Sequence, residues 1–171
     1  MENDMKNPSL ETGYLLGGIL ALISVAVYSI DYKLLVDPSY SFLISMAIFI
    51  IIIGAGVYST IQSKAINNNV LSFKASFKSY FTTVALGYFI YNITIYIIYS
   101  VVDPAAAKIL DEEILIMVAE MLKGMQGSME LLEEASKSSN YSFSTIATSY
   151  VMKLTGYCLV GLLTSSIIKR E

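Results

Sequence analysis

The sequence predicts an all-α polytopic membrane protein, with four transmembrane helices and an acidic amphipathic helix between the third and the fourth. Three observations carry this. Apolar types make up 55% of the 171 residues and charged types 15%, with a mean hydropathy of +0.62. Soluble domains are about one-quarter charged, so this chain lacks the polar surface to cover a core in water. Three charge-free runs, Thr12–Ile30, Ser39–Ser63 and Ser79–Val102, have 19, 25 and 24 residues, and a hydrocarbon layer of ~30 Å needs about 20 apolar residues in a helix. A fourth stretch, Ser138–Ile168, has one charge, Lys153.

Taken in order, the first span is expected over about 12–30 as an uncleaved helix. Its leader carries Glu2, Asp4 and Glu11 against Lys6, and no A-x-A site follows the apolar run, unlike a signal peptide. The second and third spans are expected at about 39–63 and 79–102. The polar Ser138–Thr145 segment reads as a turn and places the fourth at about 147–168. All four belong to one membrane domain covering 1–171. The loop between spans two and three holds Lys64, Lys74 and Lys78 and no acid, so the positive-inside rule puts it, and both termini, in the cytoplasm. The opposite side then receives residues 103–137, where eight acids and three lysines leave a balance of −5. Tyr28, Tyr32, Tyr40, Tyr96, Tyr99 and Tyr150 are expected to ring the outer interface, and Tyr14, Tyr58 and Tyr80 the inner one.

Asp103-Pro104 ends the third span and starts a helix, because Asp is a preferred N-cap and Pro suits the first turn. Over about 104–136, 100° steps put Leu110, Ile114, Met117, Val118, Met121, Met125, Met129 and Leu132 on one face and most charges on the other. Gly124 and Gly127 are expected to bend or divide this helix. Its acidic face is repelled by anionic headgroups, so the stripe must lie on the spans, on a second copy or on another protein.

The inventory excludes most enzyme chemistry. There is no His and one Cys, Cys158, which removes imidazole bases, His and Cys-cluster metal sites and intrachain disulfides. A net charge of −3 gives no nucleic-acid footprint. No catalytic, cofactor or metal residues are expected. The row Met117, Met121, Met125, Met129 offers thioethers suited to Cu(I), but one helix aims only about two at an ion, and adaptable packing explains the row more simply. Asp111, Glu112 and Glu113 lack a calcium loop and read as a solvated face.

Within the spans the polar candidates are Asn92, Thr94 and Lys153. Asn92 and Thr94 are expected to hydrogen-bond between helices. Lys153 is expected about two turns below the outer end of span four, snorkelling to the interface with Asp31, Asp37 and Asp103 in reach. Gly13, Gly17 and Ala21, and Gly161 with Ser165, form small-residue rows for close helix packing. Phe73, Phe77, Tyr80 and Phe81, flanked by Lys74 and Lys78, describe an interfacial anchor helix leading into span three. Asn92-Ile93-Thr94 and Asn140-Tyr141-Ser142 match the glycosylation acceptor pattern, a cheap match.

The Ser72-Phe73-Lys74-Ala75-Ser76-Phe77 lead-in to span three, the Val102-Asp103-Pro104 exit, the acidic Met-rich helix and the final Ile167-Ile168-Lys169-Arg170 together resemble the domain-of-unknown-function 4199 family of bacterial membrane proteins. That resemblance covers nearly the whole chain. It implies a four-span inner-membrane protein and brings no activity or catalytic residues with it. The functional expectation is a non-enzymatic interaction or assembly protein of the bacterial inner membrane. Its partners would be the lipid bilayer and either a second copy or another membrane or periplasmic protein. The alternative is a small oligomeric transporter or channel with Asn92, Thr94 and Lys153 along its path.

Overall fold

Side-chain caps decide where each helix begins. The computed structural model describes residues 7–123, 132–133 and 136–169, and among them the regular structure is helical, with no β-strand. Asn7 caps α1 (Pro8–Asp31), Asp37 caps α2 (Pro38–Ile66) and Ser72 caps α3 (Phe73–Tyr96), each side chain accepting from a first-turn amide. Asp103 does the same for α4 (Pro104–Met121) and Ser142 for α5 (Phe143–Ile168). Pro occupies the first turn of α1, α2 and α4, where its missing N–H costs nothing. Because caps rather than apolar boundaries set the starts, α1, α3 and α5 each begin four to six residues before the span that hydropathy alone suggests.

Short connections make neighbours antiparallel. A 3₁₀ turn, Tyr32–Leu35, capped by Asp31, links α1 to α2. Between α2 and α3 the chain reverses through Asn67, Asn68 and Asn69, the last two with φ of 53° and 62°, a region where Asn is among the few tolerant side chains. The C-terminal end of α3 widens into a π-helical segment, Ile97–Val102, whose last bond runs from the Asp103 N–H to the Ile98 carbonyl at 2.8 Å.

Helix α3 is central, packing on α1, α2 and α5. Glycines permit the approach. Leu16 of α1 sits against Gly87, where a Cβ would come within 2.5 Å of its side chain, and Ile90 of α3 sits equally close to Gly17. Tyr80 is wedged between Gly56 of α2 and Gly161 of α5, with ring atoms 2.6 and 2.5 Å from the positions their Cβ atoms would take. Tyr80 is therefore buried in the core and not at the interface, and so is Tyr99, because glycine gaps and the π-segment turn both rings inward. Nor is there a separate anchor helix. Residues from Phe73 onward belong to α3 itself, whose first turns bury Ser76, Ser79 and Tyr80 while Phe73, Lys74 and Lys78 stay exposed. Large apolar side chains point outward elsewhere, as Ile30, Leu163 and Ile167 do, which suits lipid contact.

Five hydroxyls knit α1, α2 and α3 together at the end nearest the α2–α3 turn. Thr83 Oγ1 lies 2.9 Å from the Ser9 carbonyl and 2.6 Å from Ser59 Oγ. Thr83 is the donor in both contacts, its one proton shared between the Ser9 carbonyl and Ser59 Oγ. Ser79 Oγ in turn lies 3.1 Å from Ser59 Oγ and 2.9 and 2.8 Å from the hydroxyls of Ser9 and Ser63. Each of the five hydroxyls has a partner, which is how a bilayer-embedded core tolerates five polar side chains. At the same end Lys64 donates to the Ile168 carbonyl at 2.6 Å, tying α2 to the C-terminus of α5.

Candidate functional site

Above the Tyr80 wedge, toward the α4 end, α2 and α5 leave a cleft of about 380 Å³ backed by α3. Ile48 and Phe49 of α2, Tyr88 and Tyr91 of α3 and Lys153 and Tyr157 of α5 are among its walls. The rings form one stacked group. Tyr88 lies 5.6 Å from each of Tyr91, Tyr150 and Tyr157, and Phe49 lies 5.6 Å from Tyr157, within the range where aromatic pairs attract. Tyr150 also donates to the Ala85 carbonyl at 3.1 Å, pinning α5 to α3.

Lys153 lies on the cleft wall well inside α5. With α5 starting at Phe143, it stands ten residues into the helix, about 15 Å along the axis. The three aspartates expected as its partners are engaged elsewhere: Asp31 and Asp37 cap the chain at Lys33, Ser39 and Tyr40, and Asp103 caps α4. Among the described residues the one ion pair is Lys137–Glu133, so Lys153 has no counter-charge there.

Asn92 and Thr94 depart from expectation as well. Each hydrogen-bonds to its own helix, Asn92 to the Tyr88 carbonyl at 2.6 Å and Thr94 to the Ile90 carbonyl at 2.9 Å, because the carbonyl one turn back is nearer than any neighbouring helix. Asn92 faces a separate groove of about 200 Å³ between α3 and α5, with Phe89, Tyr96 and Phe143. Lys153 lines the α2–α5 cleft instead, so Asn92 and Lys153 face different grooves.

The α4 end is organised around tyrosines. The Tyr28 hydroxyl donates to Asp103 at 2.9 Å, Tyr28 meets Tyr99 edge-on at 5.9 Å, and Tyr99 packs on Tyr141 at 4.6 Å. Ser100 donates to the Tyr141 carbonyl, and Asp111 accepts from Asn140 at 2.9 and 3.0 Å. The Ala106 N–H and then the Tyr28 hydroxyl hold the Asp103 carboxyl below its ordinary pKa, whereas burial pushes the Tyr141 hydroxyl up. Against this cluster the apolar stripe of α4 begins fully buried, with Leu110 at 0% exposure. Ile114 and Met117 are half-buried, and Met121, the last residue of α4, is 72% exposed. Leu132 is half-buried. Met125, Met129, Gly124 and Gly127 lie outside the described residues.

The lysine was legible as a candidate; the cleft around it was not. Tyr150, Lys153, Tyr157 and Gly161 recur at helical spacing on one face of α5, as do Tyr80, Val84, Tyr88 and Tyr91 on α3. Reading those two rows together would have found it.

Four helices long and apolar enough to cross a membrane, joined by buried rings and a satisfied hydroxyl chain, define a multi-pass integral membrane protein. The chain belongs to the family described as Protein of unknown function (DUF4199), whose sequence model matches residues 11–170. No curated protein and no solved structure matches it.

Proposed function

We propose that this is a non-enzymatic assembly protein of the bacterial cytoplasmic membrane, with both termini inside, in which the far end of α4 docks a partner protein outside the cytoplasm. One observation carries the reading: the apolar stripe begins on the protein's own tyrosines at Leu110 and emerges from them by Met121. An exposed apolar side chain outside the bilayer gains about 1.5–3 kcal/mol on full burial, enough for a few contacts to dominate association. Asp111, Glu112, Glu113 and Glu120 outnumber Lys108 and Lys123 around it, which favours a partner with a basic rim over a second, equally acidic copy.

Purification from native membranes in mild detergent tests this. Met121→Asp should release the copurifying partner while leaving insertion and the Leu110 anchor intact, and Glu11→Gln, in the first turn of α1, should release nothing. An Asp variant that keeps every partner and its assembly mass defeats the reading. Orientation is tested separately in a Cys158→Ser background, where cysteines at Lys74 and Lys123 should label only from inside and only from outside intact cells, respectively.

A further inference from the structure

We infer that the cleft between α2 and α5 is a binding site for an anionic lipid, with one acyl chain along Phe49, Tyr88 and Tyr157 and the acidic headgroup on Lys153. Three independent features converge on it. The cleft's volume of about 380 Å³ lies in the range of small-ligand sites. Its walls are apolar and aromatic except at the Lys153 end, so the site is amphipathic in the sense that a lipid is. And Lys153, unpaired among the described residues, needs a counter-charge, because an isolated ammonium below the membrane surface is costly.

The depth fits the headgroup end of a lipid rather than its tail. Helix α5 has 26 residues, about 39 Å against a hydrocarbon layer of ~30 Å, so each end overhangs by about 4–5 Å. The Lys153 backbone then lies about 10 Å below the hydrocarbon boundary on the α4 side. Its four-carbon stem reaches upward from there to meet a phosphate or carboxylate drawn slightly inward. Below the lysine the chain would run toward the Tyr80 wedge, where Gly56 and Gly161 close α2 and α5 onto one ring. Space remains for it beside Gly156, which lines the cleft and whose added Cβ would meet nothing within 4 Å. This inference concerns a different surface from the α4 stripe, and neither depends on the other.

Native mass spectrometry of the full chain, released from mixed micelles holding phosphatidylglycerol, phosphatidylcholine of the same chain length, and palmitate, tests it directly. The wild type should retain one anionic lipid over phosphatidylcholine by about fivefold, the factor expected from one lysine near the surface. Which of the two is kept identifies phosphate or carboxylate as the headgroup. Lys153→Met should bring the ratio to about one and Lys153→Arg should preserve it. Gly156→Leu, whose Cβ meets nothing within 4 Å and whose side chain occupies cleft space, should lower retention of both kinds of lipid. Equal retention of all three lipids by the wild type overturns the proposal, as does an unchanged preference in Lys153→Met or unchanged retention in Gly156→Leu. A Gly156→Leu variant that alters assembly mass and leaves lipid retention unchanged would assign the cleft to a second copy of the chain instead.

Discussion

The seam that joins α1 and α2 to α3 and the seam that joins α5 to α3 use the same residue types with different results. In the first, the hydroxyls of Ser9, Ser59, Ser63, Ser79 and Thr83 form a chain that ends on a backbone carbonyl. In the second, among the described residues, the buried hydroxyls of Ser76, Tyr80 and Ser165 find no partner, and Lys153 stands without a counter-charge. Unpaired polar groups in a low-dielectric core weaken the surface that holds them. The contrast teaches that α1–α3 form a satisfied unit, whereas α5 is held chiefly by shape: a ring between two glycines and a cluster of tyrosines, with two hydrogen bonds, Tyr150 to the Ala85 carbonyl and Lys64 to the Ile168 carbonyl.

The largest effect should come from filling a glycine gap in the satisfied seam. Gly17→Leu drives a side chain into Ile90, 2.5 Å from the position of its Cβ, while Gly18→Leu, one residue on, places a Cβ that meets nothing within 4 Å. Overpacking a closed core costs about 1–3 kcal/mol or more, so Gly17→Leu should lower the thermal midpoint in detergent by many degrees or prevent folding. Gly18→Leu should match or exceed the wild type, since Gly is about 1 kcal/mol poorer than Ala in a helix. Equal destabilisation by both would mean that α1 does not approach α3 through that face.

A smaller effect separates the two seams by their hydrogen bonds. Thr83→Val keeps the shape but removes the hydroxyl that donates to the Ser9 carbonyl and to Ser59. Buried side-chain bonds in membrane proteins average about 0.6 kcal/mol, so losing two should cost about 1 kcal/mol. Tyr80→Phe removes a hydroxyl that bonds nothing and should be neutral or stabilising in the same thermal assay. If Tyr80→Phe costs as much as Thr83→Val, the α5 seam holds a partner for that hydroxyl and the contrast disappears.

Much of this was legible in the sequence, for physical reasons that also mark where legibility stops. Spans follow from runs of uncharged residues because lipid selects on composition along a single helix. Asp103-Pro104 announced α4 because a cap and its proline are local chemistry. Gly13, Gly17 and Gly161 were readable as close-packing positions, although the rings and side chains that fill them were not. Tyr80 and Tyr99 were assigned to the interface because a lone tyrosine near a span end prefers it; glycines on two other helices and a π-segment decided otherwise. The hydroxyl chain stayed invisible, since each Ser or Thr alone bonds its own helix as readily as a neighbour's.

The smallest effect should appear at the α4 end and depends on pH. Asp103 accepts from the Ala106 N–H at 2.9 Å and from the Tyr28 hydroxyl at 2.9 Å, and both contacts favour its charged form, so its pKa is lower folded than unfolded. A lowered carboxyl contributes stability that is complete above the unfolded value, about 3.9, and is lost as pH falls through the folded one. Acidifying from pH 5 toward pH 3 should therefore loosen the first turn of α4, read as faster amide exchange over residues 105–107 after correction for the intrinsic rate. Asp103→Asn still caps the helix but does not titrate, so its exchange should be nearly flat over that range. Tyr28→Phe removes one of the two contacts and should shift the wild-type transition toward higher pH, because the acid then ionises less readily. If Asp103→Asn keeps the full acid response, the titrating group is another carboxylate.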